Sequence, residues 1–383
     1  MSGQLFEPHE ALALSLSGGT SIPRLASIIE RYGNLQELMR QPDHSLLGEK
    51  GIGRAGLVKL RDSARIDLER ERARMERAGI VPLVYGYPGY PGALTGGMFD
   101  PPLVLYVKGD AGVFREVGVA VVGTRRPSPF GERTARKLGR DLGGFPFIVI
   151  SGLATGIDGL AHQSCVTAGG RTVAVLAHGL QTVQPSAHRP LAHSILDGGG
   201  ALISEYPLGV EAKKHTFVPR NRIIAGLSTA VVVVEGGAGS GARHTAEFAF
   251  EYGRVVLAVP GRPTDSQSAL PNQLIRDRRA ELCRGLEDVL ASLPLHTVDG
   301  VQREIDKRAR ALVRRAERVL KVLGPDARTV FEQLGSEPRH VDDICGTTGL
   351  SASTVLALLL RMEIEGLVEQ LPGTRYVPNL QLG

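Results

Sequence analysis

The middle of the chain contains a series of short, continuously apolar runs that alternate with longer amphipathic stretches. The runs are rich in β-branched residues and cover residues 119–123, 147–152, 171–179, 201–207, 229–237 and 254–261. Such runs, when separated by helical stretches, are typical of the strands of a parallel sheet that helices cover on both faces. We therefore predict a doubly wound α/β domain.

The segments on either side of these runs have different patterns. Short amphipathic stretches predict helices before residue 79. Within this segment, Gly51-Ile52-Gly53 is either a turn like that of a helix-hairpin-helix or an ordinary glycine-closed turn. Residues 303–321 carry 8 basic against 3 acidic residues and predict a charged helix. The patterns after Gly324 follow the order of a winged helix. The predicted domains are a helical domain (1–78), the α/β domain (79–297), a basic helical linker (298–325) and a winged helix (326–383).

Composition narrows the class of protein. Of the 383 residues 42% are apolar and 22% charged, as in globular proteins, and no apolar run approaches the ~20 residues that cross a bilayer. Cys165, Cys283 and Cys345 are far apart and predict neither a disulfide framework nor a zinc ribbon. The first residues lack the basic segment of a signal peptide. We expect a cytoplasmic protein without a membrane partner.

Glycine-rich loops follow three of the predicted strands. In an open parallel sheet, ligands bind outside the carboxyl ends of the strands, where glycine permits close approach and the N–H groups of a following helix favour an anion. An Arg-Asn-Arg sequence adds two cations. We predict a phosphate-binding site, although the glycines could instead serve only tight turns. Its candidate residues are Gly123, Thr124, Arg125, Ser151, Gly152, Gly156, Arg220, Asn221, Arg222, Ser240 and Gly241.

Familiar nucleotide and metal motifs do not occur in these loops. Without G-x-x-x-x-G-K-[ST] or G-x-G-x-x-G between a strand and a helix, P-loop and ordinary dinucleotide binding are disfavoured. Six histidines lie between residues 162 and 244 of the domain, but none forms an H-E-x-x-H or comparable pair, so we predict neither a metal nor a cofactor. Four acids could form a catalytic pair, cap helices or pair with arginines. They are Asp158, Glu205, Glu235 and Glu247.

Seven ordered motifs give the domain a resemblance to a known family. They are VAVVGTRRPSPFG, VISGLATGIDGLAHQ, GGRTVAVLAHGL, LISEYPLG, PRNRIIAGLS, SGARHTAE and VPGRPTDSQSALPNQLI, between residues 119 and 275. In this order they resemble the signature of the DNA-processing protein A family (DprA, also called Smf). The helical N-terminus and the winged-helix C-terminus resemble the three-part layout of the same family.

This resemblance implies a Rossmann-like domain in a protein that is not an enzyme. Such a protein binds and protects single-stranded DNA taken up in natural transformation, forms a homodimer through the Rossmann-like domain and loads the RecA recombinase. The motif positions imply that Arg125 is a main phosphate ligand. They also place Thr245 in the same pocket as the candidates named above.

The chain departs from the family pattern at two places. The family often has Tyr-Pro-Lys-x-Asn with a DNA-contacting lysine, where this chain has Gln184-Pro185-Ser186-Ala187-His188 followed by Arg189. An arginine often precedes Ser-Gly-Ser, whereas here Gly239-Ser240-Gly241-Ala242 is followed by Arg243. Arg243 therefore joins the candidate phosphate ligands, and the residue that replaces the lysine is left open.

The same glycine-rich residues allow an enzyme as the alternative. EGGAGSGARHTAE resembles the P-G-G-x-G-T-x-x-E loop of nucleotide phosphoribohydrolases, in which glycines hold a phosphate and an acid assists glycosidic cleavage. Glu247 would be that acid. The order of the remaining motifs favours the DNA-binding family.

Two further expectations concern surfaces. Residues 268–283 have apolar side chains at helical spacing, which predicts either a dimer interface or a helix that faces the core. Residues 326–383 hold four basic residues against eight acids. Because DNA-reading modules need cations, we expect the winged helix to pack on protein and not to be a primary DNA site.

Overall fold

The structure, a computed structural model, describes residues 6–18, 28–49, 52–335 and 337–378. The chain forms two compact units, Met1–Val298 and Asp299–Gly383. Gly51 of the predicted glycine turn lies outside the described residues. The described part of that turn directly precedes a helix that begins at Arg54.

A nine-stranded sheet forms the centre of the first unit. Its strands are β1 (Ile80–Val84), β2 (Val104–Gly109), β3 (Val117–Val122), β4 (Phe147–Ser151), β5 (Thr172–Val175), β6 (Ala201–Ser204), β7 (Ala230–Val233), β8 (Val255–Ala258) and β9 (Glu281–Leu282). They lie in the order β1-β2-β6-β5-β4-β3-β7-β8-β9. In this spatial order every neighbouring pair from β6 to β9 is parallel. The two remaining pairs, β1 with β2 and β2 with β6, are antiparallel.

Both faces of this sheet are buried. Val104 and Tyr106 of β2 join one apolar cluster, and Leu105 and Val107 join another. Successive side chains of a strand point to opposite faces, so the two clusters lie on opposite sides of the sheet. The predicted doubly wound, Rossmann-like α/β domain is confirmed.

Helices connect and cover the strands. In the first unit they are α1 (Pro8–Leu16), α2 (Leu35–Arg40), α3 (Asp43–Leu47), α4 (Arg54–Ser63), α5 (Leu68–Arg77), α6 (Gly92–Thr95), α7 (Pro129–Gly143), α8 (Ile157–Thr167), α9 (Arg189–Asp197), α10 (Lys214–Leu227), α11 (Ala242–Glu251), α12 (Ala269–Arg276) and α13 (Leu286–Ser292). The chain runs outward from β3 through β4, β5 and β6 and returns through α10 to β7, which pairs with β3. The boundary between β3 and β7 is therefore the topological switch point, where open α/β sheets bind ligands.

The N-terminal helices share their core with one face of the sheet. Leu12, Leu38, Leu60 and Met75 are buried in the same cluster as Tyr106 of β2. The helical character predicted for this segment is present in the structure, whereas the boundary at residue 78 stays a prediction.

The second unit has the order of elements of a winged helix. It contains most of α14 (Leu295–Leu323), then α15 (Pro325–Glu332), α16 (Val341–Thr348) and α17 (Ala352–Ile364), with β10 (Arg339–His340), β11 (Val368–Leu371) and β12 (Arg375–Pro378). The strands pair in the order β10-β12-β11. Ile344, Val355 and Leu359 are fully buried in its core. The predicted winged helix is confirmed.

None of the described helices alone is long and apolar enough to cross a bilayer. The bent pair of α16 and α17 passes by length and composition when the two are counted together.

Candidate nucleic-acid interface

Loops at the carboxyl ends of β3, β4 and β7 meet beside the switch point. Together with α10 and the first turn of α11 they line an open cavity of about 510 Å³. The structure brings eight of the predicted site residues together in its wall. They are Gly123, Thr124, Arg125, Arg220, Asn221, Ser240, Gly241 and Thr245.

Two arginines of the cavity contact one aromatic ring. The guanidinium of Arg125 lies 5.1 Å from the ring centroid of Phe217, and that of Arg220 lies 5.9 Å from the same centroid. Such cation–π contacts orient a guanidinium group. Arg125 is exposed, and within the described part of the chain its side chain has neither an ion pair nor a hydrogen-bond partner. Its charge therefore faces solvent, where an anion can reach it.

Arg220, by contrast, is built into the base of the cavity. Its side chain is buried and donates to the carbonyl oxygens of Gly152, at 2.9 Å, and Val175. Its Nε also donates to Oδ1 of Asn221 at 3.2 Å. Burial lowers the pKa of Arg220 to about 10, and Asp158 acts in the opposite direction. Arg220 is still a cation at neutral pH.

Asp158 lies in the first turn of α8 and interacts electrostatically with this buried cation. Its carboxylate accepts the N–H of Gly152 at 3.1 Å. Burial raises the pKa of Asp158, and Arg220 opposes that rise. Two arginines and one carboxylate leave the cavity with an excess of positive charge.

The N-terminus of α11 adds groups suited to an anion. Ser240 and Gly241 precede the helix, and Thr245 is buried in its first turn. The side-chain amide of Asn221 donates to the carbonyl of Gly241 at 3.3 Å, which ties α10 to this loop. The partial positive charge at a helix N-terminus favours phosphate.

Glu235 at the end of β7 holds the loop that carries Arg125. Its buried carboxylate accepts the N–H of Ser128 at 2.9 Å and the hydroxyl of the same serine at 2.5 Å. Its backbone carbonyl accepts the N–H of Thr124 at 2.8 Å. Gly131 lets α7 approach this carboxylate, because a Cβ there would overlap it. Glu235 is therefore a positioning residue for the loop.

We expect Gly131→Ala to damage both the fold and the site. The added methyl group would displace Glu235 and with it the Arg125 loop, at a cost of about 1–3 kcal/mol in unfolding free energy. DNA affinity should fall about tenfold, or about 1.4 kcal/mol, because the displaced Arg125 would no longer be held in position to bind a phosphate. Urea denaturation and fluorescence anisotropy measure the two effects. Gly144→Ala is the control, since a Cβ there has only ordinary contacts, 3.7 Å or longer; similar losses in both variants would refute the argument.

Three predicted residues do not line this cavity. Ser151 is fully buried and donates its hydroxyl to the carbonyl of Val121 at 2.7 Å. Gly152 lines an adjoining cavity, and its N–H donates to Asp158 while its carbonyl accepts from Arg220. Gly156 precedes α8 with φ of 79°, and a Cβ there would overlap the backbone of Arg125 and its neighbour. These residues hold the loops against each other, and their direct DNA contacts stay predictions.

The structure does not bring Arg222 and Arg243 into the cavity. Arg222 donates to both oxygens of Glu205, at 3.1 and 2.7 Å, and lines a different cavity of about 640 Å³. Arg243 donates to Oε1 of Gln273 at 3.0 Å. Neither guanidinium group therefore lines the predicted phosphate site.

The four acids considered as a catalytic pair have separate partners. Asp158 and Glu205 each face an arginine, and Glu235 holds a loop. Glu247 lies 3.4 Å from Nδ1 of His244 and is not among the residues that line the cavity. The described residues contain no group of three or more His, Cys, Asp or Glu side chains placed to hold a metal ion.

A second open cavity, of about 610 Å³, adjoins the first. The two cavities share Arg125, Ala154 and Phe217. Gln184, the first residue of the segment that departs from the family pattern, lines the second cavity. Arg189, which follows that segment, is exposed at the start of α9 and lines neither cavity.

Sequence reasoning missed two features of the site. Phe217 was not identified as a site residue, although it lies three residues before Arg220, a spacing that puts two side chains on one face of a helix. For Glu235 the sequence allowed a catalytic pair, a helix cap or an arginine pair, but its role in holding the Arg125 loop was not predicted. Its partner Ser128 is 107 residues away, a separation that no local pattern reveals.

His162 of α8 makes stability depend on pH. Its ring is fully buried, with Nδ1 2.6 Å from Oγ1 of Thr172, and burial lowers its pKa to about 3 from 6.5. Between these values the unfolded chain holds a proton that the folded chain excludes, so stability falls as pH falls. The slope is up to about 1.4 kcal/mol per pH unit.

We expect His162→Gln to remove this contribution. Urea denaturation of both proteins from neutral pH to about pH 4 should give a flatter pH dependence for the variant, by up to one proton. Parallel curves would show that His162 does not titrate in this window.

The fold defines a Rossmann-like α/β protein with an attached winged helix. The sequence profile of DNA recombination-mediator protein A matches residues 82–294, and that of the DprA winged helix domain matches residues 314–374. The chain belongs to the DNA recombination-mediator protein A family (DprA).

Individual relatives agree with this assignment. Protein Smf of Synechocystis sp. is 37% identical over 313 residues, which cover 76% of this chain and 78% of the relative. The structure of DprA from Streptococcus pneumoniae matches with a TM-score of 0.64 and 30% identity over 76% of this chain and 99% of that one. DprA from Helicobacter pylori, whose structure was described for its single-stranded DNA binding mode, matches with a TM-score of 0.50 and 26% identity over 55% and 93%.

Proposed function

We propose that this protein binds the phosphate backbone of single-stranded DNA in the cavity at the switch point and acts in DNA uptake and recombination. The observation that carries the proposal is the pair of cations, Arg125 and Arg220, on one Phe217 ring beside the N-terminus of α11. Membership of the DprA family supports it, as does the single-stranded DNA binding described for the Helicobacter pylori relative.

The two adjoining cavities suit a strand that passes from one to the other. Arg125 and Phe217 lie where the cavities meet. An aromatic ring at that point offers a surface on which a base of any sequence can stack, and arginines hold the phosphates on either side. We therefore propose that the protein binds with little sequence preference.

A titration across salt tests the proposal. Fluorescence anisotropy with single-stranded and double-stranded DNA of the same sequence should show tighter binding to the single strand. The log–log slope against salt should be about −0.7 for each phosphate neutralised. Salt-insensitive binding, or a preference for one sequence, would contradict it.

We propose that the protein is a homodimer formed through the α/β domain. We do not place the interface on the helical part of residues 268–283, because Leu270 and Leu274 of α12 are buried in the core of their own chain. We place the proposed interface at β9, the last strand of the sheet, where Leu282 is 46% exposed. Phe250 of α11, which is 51% exposed, is the other large apolar side chain that we propose for it.

Light scattering of the full chain tests this interface. We expect a dimer that Leu282→Arg converts to a monomer. Val81→Arg is the matched control, because Val81 is 55% exposed on β1 at the opposite edge of the sheet, and it should remain a dimer. A wild-type monomer at micromolar concentration would contradict the proposal.

We further propose that the protein protects incoming DNA and loads RecA recombinase in the cytoplasm. Family membership supports both roles, and three free thiols fit a reducing compartment. The test is RecA filament nucleation on single-stranded DNA that is coated with a single-strand-binding protein. Addition of this protein should shorten the lag, and an unchanged lag would contradict the loading role.

We also propose that the cavity binds without catalysis. The phosphoribohydrolase alternative requires an acid beside the phosphate, and Glu247, its candidate, does not line the cavity. Incubation with nucleoside monophosphates should release no free base. Steady release that Glu247→Gln abolishes would favour the enzyme instead.

A further inference from the structure

The helix α14 carries a row of cations that the proposed site does not use. We propose that this row is a second binding surface for the phosphate backbone of DNA, an inference that rests on the proposed function. The row, here called the basic stripe, consists of Arg303, Lys307, Arg310, Arg314, Arg318 and Lys321.

The spacing of these residues puts them on one face of the helix. Successive members are four or three residues apart, so at 3.6 residues per turn all six fall within an arc of about 80° over about 27 Å. All six side chains are exposed. The first five line a single open depression.

Over residues 316–323 the opposite face of the helix packs on the winged-helix core. Ala316 and Leu320 are each 7% exposed within that core, and Val319 and Leu323 pack against it. On the helical wheel the centre of these positions lies about 170° from the centre of the stripe. The packing of the helix on the winged-helix core therefore does not depend on the stripe residues. It does not explain why six cations lie on one face.

Within the described residues, carboxylates offset only part of the charge of the stripe. Asp306 is the one acid that lines the depression, and it accepts the side-chain amide of Gln302 at 2.9 Å. Lys307 lies 3.2 Å from Glu304. Among the described residues, the guanidinium groups of Arg310 and Arg314 have no carboxylate partner. A solvated ion-pair network would need more acids on this face.

A linear array of cations suits a linear polyanion. One DNA strand carries a phosphate about every 3.4 Å of axis, or about eight along the length of the stripe. Four of the six cations are arginines, whose planar forks match phosphate oxygens. A small anion would instead need converging donors. The DNA backbone is therefore the occupant that the geometry favours.

The test compares two sets of four arginines in the full chain. In the stripe variant Arg303, Arg310, Arg314 and Arg318 become glutamine, a good helix former. The control variant neutralises all four arginines of the winged helix. They are Arg328, Arg339, Arg361 and Arg375. A third variant replaces the four stripe arginines by lysine, which keeps the charge and guards against a folding defect.

Anisotropy with oligothymidylates of about 6 and about 40 nucleotides, at several salt concentrations, gives the result. For the long oligonucleotide, the stripe variant should lose at least tenfold in affinity, and its salt slope should flatten by up to about 3, or ~0.7 per phosphate. The control and lysine variants should stay within threefold of wild type. The short oligonucleotide, which the cavity alone can hold, should bind equally well to all four proteins.

Two results would overturn the inference in different ways. Unchanged affinity and slope of the stripe variant on the long oligonucleotide would assign the stripe to an acidic protein partner. Failure of the wild-type protein to bind either oligonucleotide would refute the proposed function itself.

Discussion

Arg125→Glu should lower the affinity for single-stranded DNA by a hundredfold or more. Arg125 is exposed, is oriented by Phe217 and has no other charged partner in the described part of the chain. A charge-assisted hydrogen bond contributes about 1.5–3 kcal/mol, which is tenfold to a hundredfold in affinity. The introduced carboxylate would also repel the phosphate. Fluorescence anisotropy at fixed salt measures the loss.

Arg140→Glu is the matched control for this change. Arg140 lies eleven residues along α7 from Pro129, about 17 Å away, and α7 leads from the edge of the sheet that carries the site toward the opposite edge. Within the described residues its one ion pair, with Asp141, is 3.5 Å long, and its side chain is 67% exposed. Both variants change the net charge equally, so the control should lose less than threefold. Equal losses would show that overall charge, and not the cavity, drives binding.

The sheet could be predicted from the sequence because its strands are buried on both faces. Continuous runs such as 119–122 and 230–233 are fully buried in the structure. The loops that follow them meet because carboxyl ends of parallel strands share one edge. Arg125 and Ser240, although they are 115 positions apart, therefore line one cavity.

The orientation of individual side chains could not be predicted in this way. Arg220 and Arg222 are two positions apart in the sequence, and residues i and i+2 of a helix do not face each other. Arg220 therefore enters the cavity, while Arg222 points to Glu205 in another. The apolar spacing of α12 was equally ambiguous, and Leu270 proved to face the core.

Arg220→Met should destabilise the protein by about 3–5 kcal/mol, the usual cost of leaving a buried charge without a compensating charge. The substitution leaves Asp158 buried without a cation and the carbonyls of Gly152 and Val175 without their donor. Urea denaturation measures the loss. The double variant Arg220→Met/Asp158→Asn should recover part of it, because the uncompensated charge is gone while the amide oxygen can still accept the N–H of Gly152.

The pH dependence of Arg220→Met separates lost charge pairing from lost packing. Burial raises the pKa of Asp158 and Arg220 opposes that rise, so deletion of the cation raises the pKa further. A group whose pKa is raised by folding contributes stability below that pKa and loses it as the pH rises through it. The deficit of the variant relative to wild type should therefore shrink as the pH falls from 7 toward 5, and the double variant should show no such change. A deficit that is constant with pH would mean that Arg220 stabilises the cavity mainly through its packing and its bonds to the two carbonyl groups.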